Sequence, residues 1–362
     1  MEPAVIAAVV TGGFALVVAL YNALTSYRRE RKLRELGFTY DTMLESRKSE
    51  LSREETAAKA RADYEYSARL SLYKRFEPRL FQLMDLADYA LDRIKNLTDP
   101  SVWTKFVLTE APRPGIGRPP MAQADYELTS TLYGLFAPLV LVRSMSRQLT
   151  LVDLSLERRI ELPYYLASRI YGSFKDDAKL AAMHPPLTYT PFHPAWRERR
   201  QQDPATYWWQ GLTMGRLENI LDLLSTSGPE SGEVRLLSFG EFERLYERVF
   251  DEGEEWQRKA LAVASNPLVF FKPETRPVYW RLLVVQACLY NSLLRTPAGI
   301  QPPTSEDDWM EYLSLGDHGD FGWKEPGHTP TFEETLEAAK EYLRRYVVAP
   351  RMASRQRSIG DS

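Results

Sequence analysis

The amino-acid sequence predicts a mainly α protein with a single N-terminal transmembrane helix, a long polar stalk helix and an irregular multi-helix cytoplasmic domain with long Pro-rich loops. Three observations carry this expectation. Residues 4–24 hold no charge, the stretch 26–76 has no proline and is rich in Arg, Glu, Ala and Leu, and beyond it most apolar residues recur at helical spacing. The expected divisions are an anchor at 1–25, a juxtamembrane basic segment and stalk at 26–77, a helical domain at 78–350 and a disordered tail at 351–362.

In the anchor, Val5-Ile6-Ala7-Ala8-Val9-Val10 continues through Phe14 to Leu20. About twenty apolar residues in a helix span roughly 30 Å, the thickness of a bilayer core. Thr11, Gly12 and Gly13 weaken the apolar character, but small residues are tolerated in a spanning helix and let two helices approach. A cleaved signal peptide fits less well, because only Glu2 and Pro3 stand where a basic n-region belongs. Directly after the run comes Tyr27-Arg28-Arg29-Glu30-Arg31-Lys32-Leu33-Arg34, and Lys and Arg at one flank of a lone span place that flank in the cytoplasm. The expected location is the plasma (inner) membrane, single-pass, with the N-terminus out and the C-terminal domain cytoplasmic. Arg28, Arg29, Arg31, Lys32 and Arg34 are the expected lipid-contact residues, drawn to anionic headgroups. A lone uncharged span has no polar pathway, so it reads as a tether and not a channel.

In the stalk only Gly37 threatens the helix, and pairs such as Glu55 with Lys59 support it in water. A coiled coil on the register Tyr40, Leu44, Arg47, Leu51, Glu54, Ala58, Arg61 is disfavoured by its charged seam. Pro78 is expected to open a new helix that ends near Asn96, and 111–120 reads as a breaker-rich loop. Helices are expected over 124–149, 151–174 and 207–224, with Pro138 and Pro163 kinking or breaking the first two. The proline and aromatic insertion from Met183 to Trp196 cannot be helix, and its aromatics favour packing over disorder. Ser238 with Glu241 forms a capping-box pattern ahead of Phe242, Leu245 and Val249. Pro277 opens the most buried helix, 278–294, and Thr331 caps a last helix that Pro350 stops after Val347. The short apolar runs 234–237 and 268–271 read as extended loops.

The chain has 362 residues, 44% of them hydrophobic, and a formal net charge of -3, which gives it ample core material and no general pull toward nucleic acid. Its one cysteine, Cys288, lies in an apolar run and excludes an intramolecular disulfide. Serine-nucleophile, Walker and dinucleotide signatures are missing. His184, His193, His318 and His328 fall in irregular segments without zinc-ligand spacing. Asp317-His318-Gly319-Asp320 with His328 is the richest set of ligating types, but its spacing matches no calcium loop. Tyr207-Trp208-Trp209 with Trp196, Trp280, Trp309 and Trp323 could line a groove, although core packing explains most of them. Trp196-Arg197-Glu198-Arg199-Arg200 resembles a nucleic-acid or phosphate contact, but Glu198 and the two glutamines that follow dilute it, and a solvated helix turn is the preferred reading.

No catalytic, cofactor-binding or metal-ligating residue is therefore assigned. The expected function is that of a membrane-anchored cytoplasmic interaction protein, a scaffold, sensor or effector acting through protein binding or self-association. Its expected partners are the lipid bilayer through residues 4–24 and another protein or a second copy, with no nucleic acid. The alternative is a membrane-bound enzyme or ligand sensor with a pocket near His184 and His193 or at 317–328.

Overall fold

The structure, a computed structural model, describes residues 3–99, 126–148, 158–227, 234–268, 271–296, 303–315 and 331–360. The protein is mainly helical. It divides into two compact units, Met1–Ala68 and Arg69–Ser362.

Helix α1 (Pro3–Asn96) makes up the described part of the first unit. Gly37 does not interrupt it, because strong helix formers flank it and exposed pairs bridge successive turns: Arg31 to Glu35 at 3.1 Å, Arg47 to Glu50 at 3.0 Å and Arg61 to Glu65 at 3.2 Å. Leu16, Val17 and Leu20 are 63%, 62% and 55% exposed.

In the second unit the end of α1 buries Leu72, Phe76, Leu83, Ala87, Ala90 and Ile94, one stripe at helical spacing. Pro78 lies inside this helix and does not start a new one. It and Lys74, whose carbonyl loses its helical bond to the proline, are both on the exposed side of the helix.

Helix α2 (Tyr126–Gln148) is apolar and long enough to cross a membrane, yet 94% of its most apolar 18-residue window is buried in the protein. It serves as a core helix. Pro138 does not break it, and four residues earlier Gly134 makes a close approach: a Cβ there would sit 3.0 Å from Arg93 Cγ and 3.3 Å from the Tyr89 ring. Arg93 in turn pairs with Glu127 at 3.0 Å. Helix α3 (Arg158–Ser173) continues through Pro163, and the part of the expected helix before Arg158 lies outside the described residues.

Four short helices follow, α4 (Asp177–Ala182), α5 (Trp196–Arg199), α6 (Pro204–Tyr207) and α7 (Met214–Leu223). Of the helix expected over 207–224 only 214–223 is helical; Tyr207 ends α6, and residues 208–213 leave helical geometry, with Gln210 among them serving the core. Strands β1 (Ser225–Ser227) and β2 (Val234–Leu236) form an antiparallel pair with Ser225 opposite Leu236. The segment 234–237, expected as an extended loop, is therefore largely strand. Of 268–271, Leu268 and Phe271 are joined by a turn bond of 2.9 Å, and the residues between lie outside the described set.

Helix α8 (Phe239–Glu252) has the expected capping box at Ser238 and Glu241, and α9 (Glu255–Ser265) has a second one from Glu254 and Gln257. Helix α10 (Pro277–Leu294) is buried from Pro277 to Leu293 and packs on α3 and α4. After α11 (Glu306–Tyr312), α12 (Phe332–Leu343) begins at Thr331 and packs on α10. It runs through a π turn (Arg344–Val348) into α13 (Ala349–Gly360). Two expectations are corrected here. Pro350 does not stop the helix, since the wide turn ahead of it relieves the clash with the preceding carbonyls. Residues 351–360, expected as disordered tail, are helical, with Arg351 paired to Glu161 and its guanidinium 5.0 Å from the centre of the Tyr165 ring. The loops expected at 111–120 and 317–328 lie outside the described residues.

Candidate functional site: an arginine and tryptophan cleft

A cleft of about 530 Å³ lies between the 191–216 segment and the end of α9. The 183–196 loop forms one wall and is pinned to the core as the aromatic content predicts. Arg281 of α10, fully buried, donates to the carbonyls of Leu180 at 2.9 Å, Met183 at 3.0 Å and Pro185. Its burial pushes the guanidinium pKa down to about 10, against the pull of Glu334 and Glu341. The His184-Pro185 peptide bond in this loop is cis. His184 N donates to Glu341 at 2.6 Å, and Thr190 N donates to Thr206 O at 2.8 Å.

The opposite wall is set by Gln210, which is fully buried. Its side-chain oxygen accepts from Val278 N at 2.9 Å and Tyr279 N at 3.1 Å, satisfying two N–H groups in the first turn of α10. Its amide nitrogen donates to Ala205 O at 2.7 Å. Its backbone N donates to the Tyr189 hydroxyl at 2.9 Å, and that hydroxyl donates to Asp177 Oδ2 at 2.7 Å. Burial, then the Asp177 carboxylate, raises the Tyr189 pKa and keeps the phenol protonated. These bonds fix the residues on either side of Gln210, Trp208-Trp209 before it and Gly211-Leu212 after it.

Indoles and guanidiniums meet in the cleft. Arg200 lies 5.0 Å from the centre of the Trp196 ring and 5.4 Å from that of Trp208, and Arg216 lies 5.3 Å from that of Trp209. Behind them Arg276, 1% exposed, lies 4.2 Å from the Trp208 ring centre, and its burial pushes its pKa down to about 10, so it stays charged at neutral pH. Phe192 stands edge-on to Trp209 at 4.4 Å and is 74% exposed.

Arg143, by contrast, is paired with Glu218 at 3.0 Å and Asp222 at 2.7 Å. Among the described residues no carboxylate pairs with Arg200, Arg216 or Arg276, and no Asp or Glu lines the cleft. The described lining also holds no Ser, Cys, His or Lys.

The residues singled out in the sequence are distributed as follows. Arg28, Arg29, Arg31, Lys32 and Arg34 are exposed on α1 in the first unit, with Arg31 bridged to Glu35 and Arg34 to Glu30 at 3.9 Å. His184 is exposed against α12, and His193 accepts from Ala195 N at 3.1 Å with its ring edge toward Tyr207. Asp317, His318, Asp320 and His328 lie outside the described residues, among which no group of three His, Cys, Asp or Glu side chains is placed to hold a metal. Trp196, Trp208 and Trp209 come together, Trp280 and Trp309 are buried in the core, and Trp323 is outside the described set. Cys288 is buried, and its surroundings push the thiol up to about 12. Sequence reading missed Arg216, Arg276 and Phe192, because the fold alone brings them to the indoles.

Comparison with protein-family models, with curated proteins and with solved structures finds no match to this chain.

Proposed function

We propose that the protein is a membrane-tethered binding protein whose second unit receives an anionic partner in the arginine and tryptophan cleft. The observation that carries this reading is the absence of any pairing carboxylate, among the described residues, from Arg200 and Arg216, both stacked on indoles in a cleft without an acid. A stacked guanidinium keeps its in-plane N–H fork free for a bidentate oxyanion. The tether rests on the uncharged run 4–24, on the exposure of Leu16, Val17 and Leu20, and on the basic residues 28–34 that follow. In this reading the span is single, the N-terminus is outside, the second unit is cytoplasmic, and Arg28 to Arg34 meet anionic headgroups at about 1 kcal/mol per charge.

The partner is an acidic group on another molecule. The ligand-sensor form of this function draws support from the 183–196 loop, which supplies Pro191 and Phe192 to the cleft wall. The test is calorimetric titration of the full-length chain in lipid nanodiscs with inorganic pyrophosphate. Saturable binding that disappears in the double variant Arg200→Gln, Arg216→Gln is the expected result. Equal binding by parent and variant sinks the assignment.

A further inference from the structure

We infer that the cleft takes a nucleoside phosphate, with its phosphate on the free edges of Arg200 and Arg216 and its base against the indoles of Trp208 and Trp209. The inference rests on the anion-binding reading above and narrows its ligand.

Size is the first argument. A volume of about 530 Å³ suits a compact organic ligand and exceeds what an inorganic ion needs. Surface chemistry is the second. An oxyanion site requires donors, and the two guanidiniums supply them without indoles; three tryptophans and Phe192 converging on the same cleft call for a flat π-surface in the occupant. Phe192, 74% exposed at the rim, is an aromatic ring that gains cover when a planar ligand enters. Asn266, the one side-chain amide in the described lining, offers a donor and an acceptor to a base edge. Charge is the third. Buried Arg276 beside Trp208 adds a fixed positive charge behind the ring, and no acid in the lining opposes a multiply charged phosphate. An acidic peptide satisfies the guanidiniums but leaves the indoles without a planar partner unless an aromatic residue accompanies it, so it serves as the competing outcome.

The test uses the full-length chain in nanodiscs and calorimetric titration with adenosine diphosphate, guanosine diphosphate, adenosine, inorganic pyrophosphate and a peptide of glutamates and tyrosines. Stacking of a base on aromatic rings predicts that at least one nucleotide binds about tenfold or more tighter than pyrophosphate. Trp209→Leu should remove that gain, so that the variant binds the nucleotide no tighter than it binds pyrophosphate. Phe192→Ala, at an exposed position whose ring contact is the edge-on one with Trp209, should weaken the nucleotide by about threefold, on the smaller stacking contribution of a rim ring. If nucleotides bind no tighter than pyrophosphate, the inference fails and the anion-binding reading stands. If none of the probes binds, both fail. Tight nucleotide binding indifferent to Trp209→Leu and Phe192→Ala, or binding by the peptide without the nucleotides, also overturns the inference.

Discussion

Replacing Gln210 with Leu should destabilise the second unit by an amount that can be worked from its bonds. The side chain is fully buried and satisfies three backbone groups: the N–H of Val278, the N–H of Tyr279 and the carbonyl of Ala205. Leucine has nearly the same volume, so the transfer and cavity contributions are small. What changes is hydrogen bonding. Each buried group left without a partner costs about 1–3 kcal/mol. Three such groups, with partial relaxation at the start of α10, sum to roughly 3–6 kcal/mol on the same basis. That is a large share of a typical folding free energy of about 5–15 kcal/mol. At about 2 °C per kcal/mol for a unit of this size, the midpoint should fall by roughly 6–12 °C. The assay is thermal unfolding of the full-length chain in detergent, followed by tryptophan emission, with amide exchange at Val278 and Tyr279 as the local readout. A midpoint for Gln210→Leu within about 1 °C of the parent, against the shift expected from the size scaling, would refute the assignment of Gln210 as the cap of α10.

Other consequences can be measured independently. Gly211→Ala places a Cβ 2.6 Å from Asp177 Cβ and Cγ, so Asp177 must move and give up Tyr189; overpacking of this kind costs about 1–3 kcal/mol, and an unchanged unfolding midpoint would show that the site has room. Cys288 has its pKa pushed from 9.0 up to about 12, so the unfolded chain ionises first and stability should fall as pH rises from about 9 toward 12. Cys288→Ala should remove the part of that slope that begins near 9, as measured by urea unfolding, and leave the part due to the buried tyrosines, whose ordinary value is 10.0. Glu241 is held down at about 2 by its hydrogen bond to Arg235 and then by Ser238, below its ordinary 4.5. Its stabilisation is therefore present above about 4.5 and is lost as pH falls through about 2; Glu241→Gln should flatten the acid limb of the stability profile. The topology predicts that external protease spares the second unit in intact cells, and cleavage of that unit from outside would overturn the proposed orientation.

Much of the helical content was legible from local pattern. The Ser238–Glu241 box and the all-round apolarity of 278–294 mark α8 and α10 because the interactions concerned lie within a few residues. Pro78 and Pro350 misled for the opposite reason. A proline's local cost is readable, but whether the helix survives depends on which side of it faces water and on a widened turn, both decided by tertiary structure. The cleft was half legible. Trp196, Trp208, Trp209 and Arg200 stand out in one stretch of chain, whereas Arg216 and Arg276 reach the indoles only after α6 and α7 separate and Gln210 joins α10. Nothing in the spacing of those residues announces that encounter.

The π turn at Arg344–Val348 has a consequence for chain length. Upstream, Ala338, Ala339, Tyr342 and Leu343 face the core; downstream the same face resumes at Val347 and Val348 and then at the half-buried Arg351 and Met352. Regular α spacing from Leu343 would bring the face round one residue sooner, so the turn accommodates one surplus residue without rotating α13 away from Glu161. Removing Arg345, which is exposed, converts the wide turn to ordinary helix and leaves the buried face in register. The same deletion within α10, where every position is enclosed on all sides, turns each following side chain by about 100° into the wrong neighbour. The helix from Phe332 to Gly360 thus carries its own tolerance to a change in length, confined to a single turn.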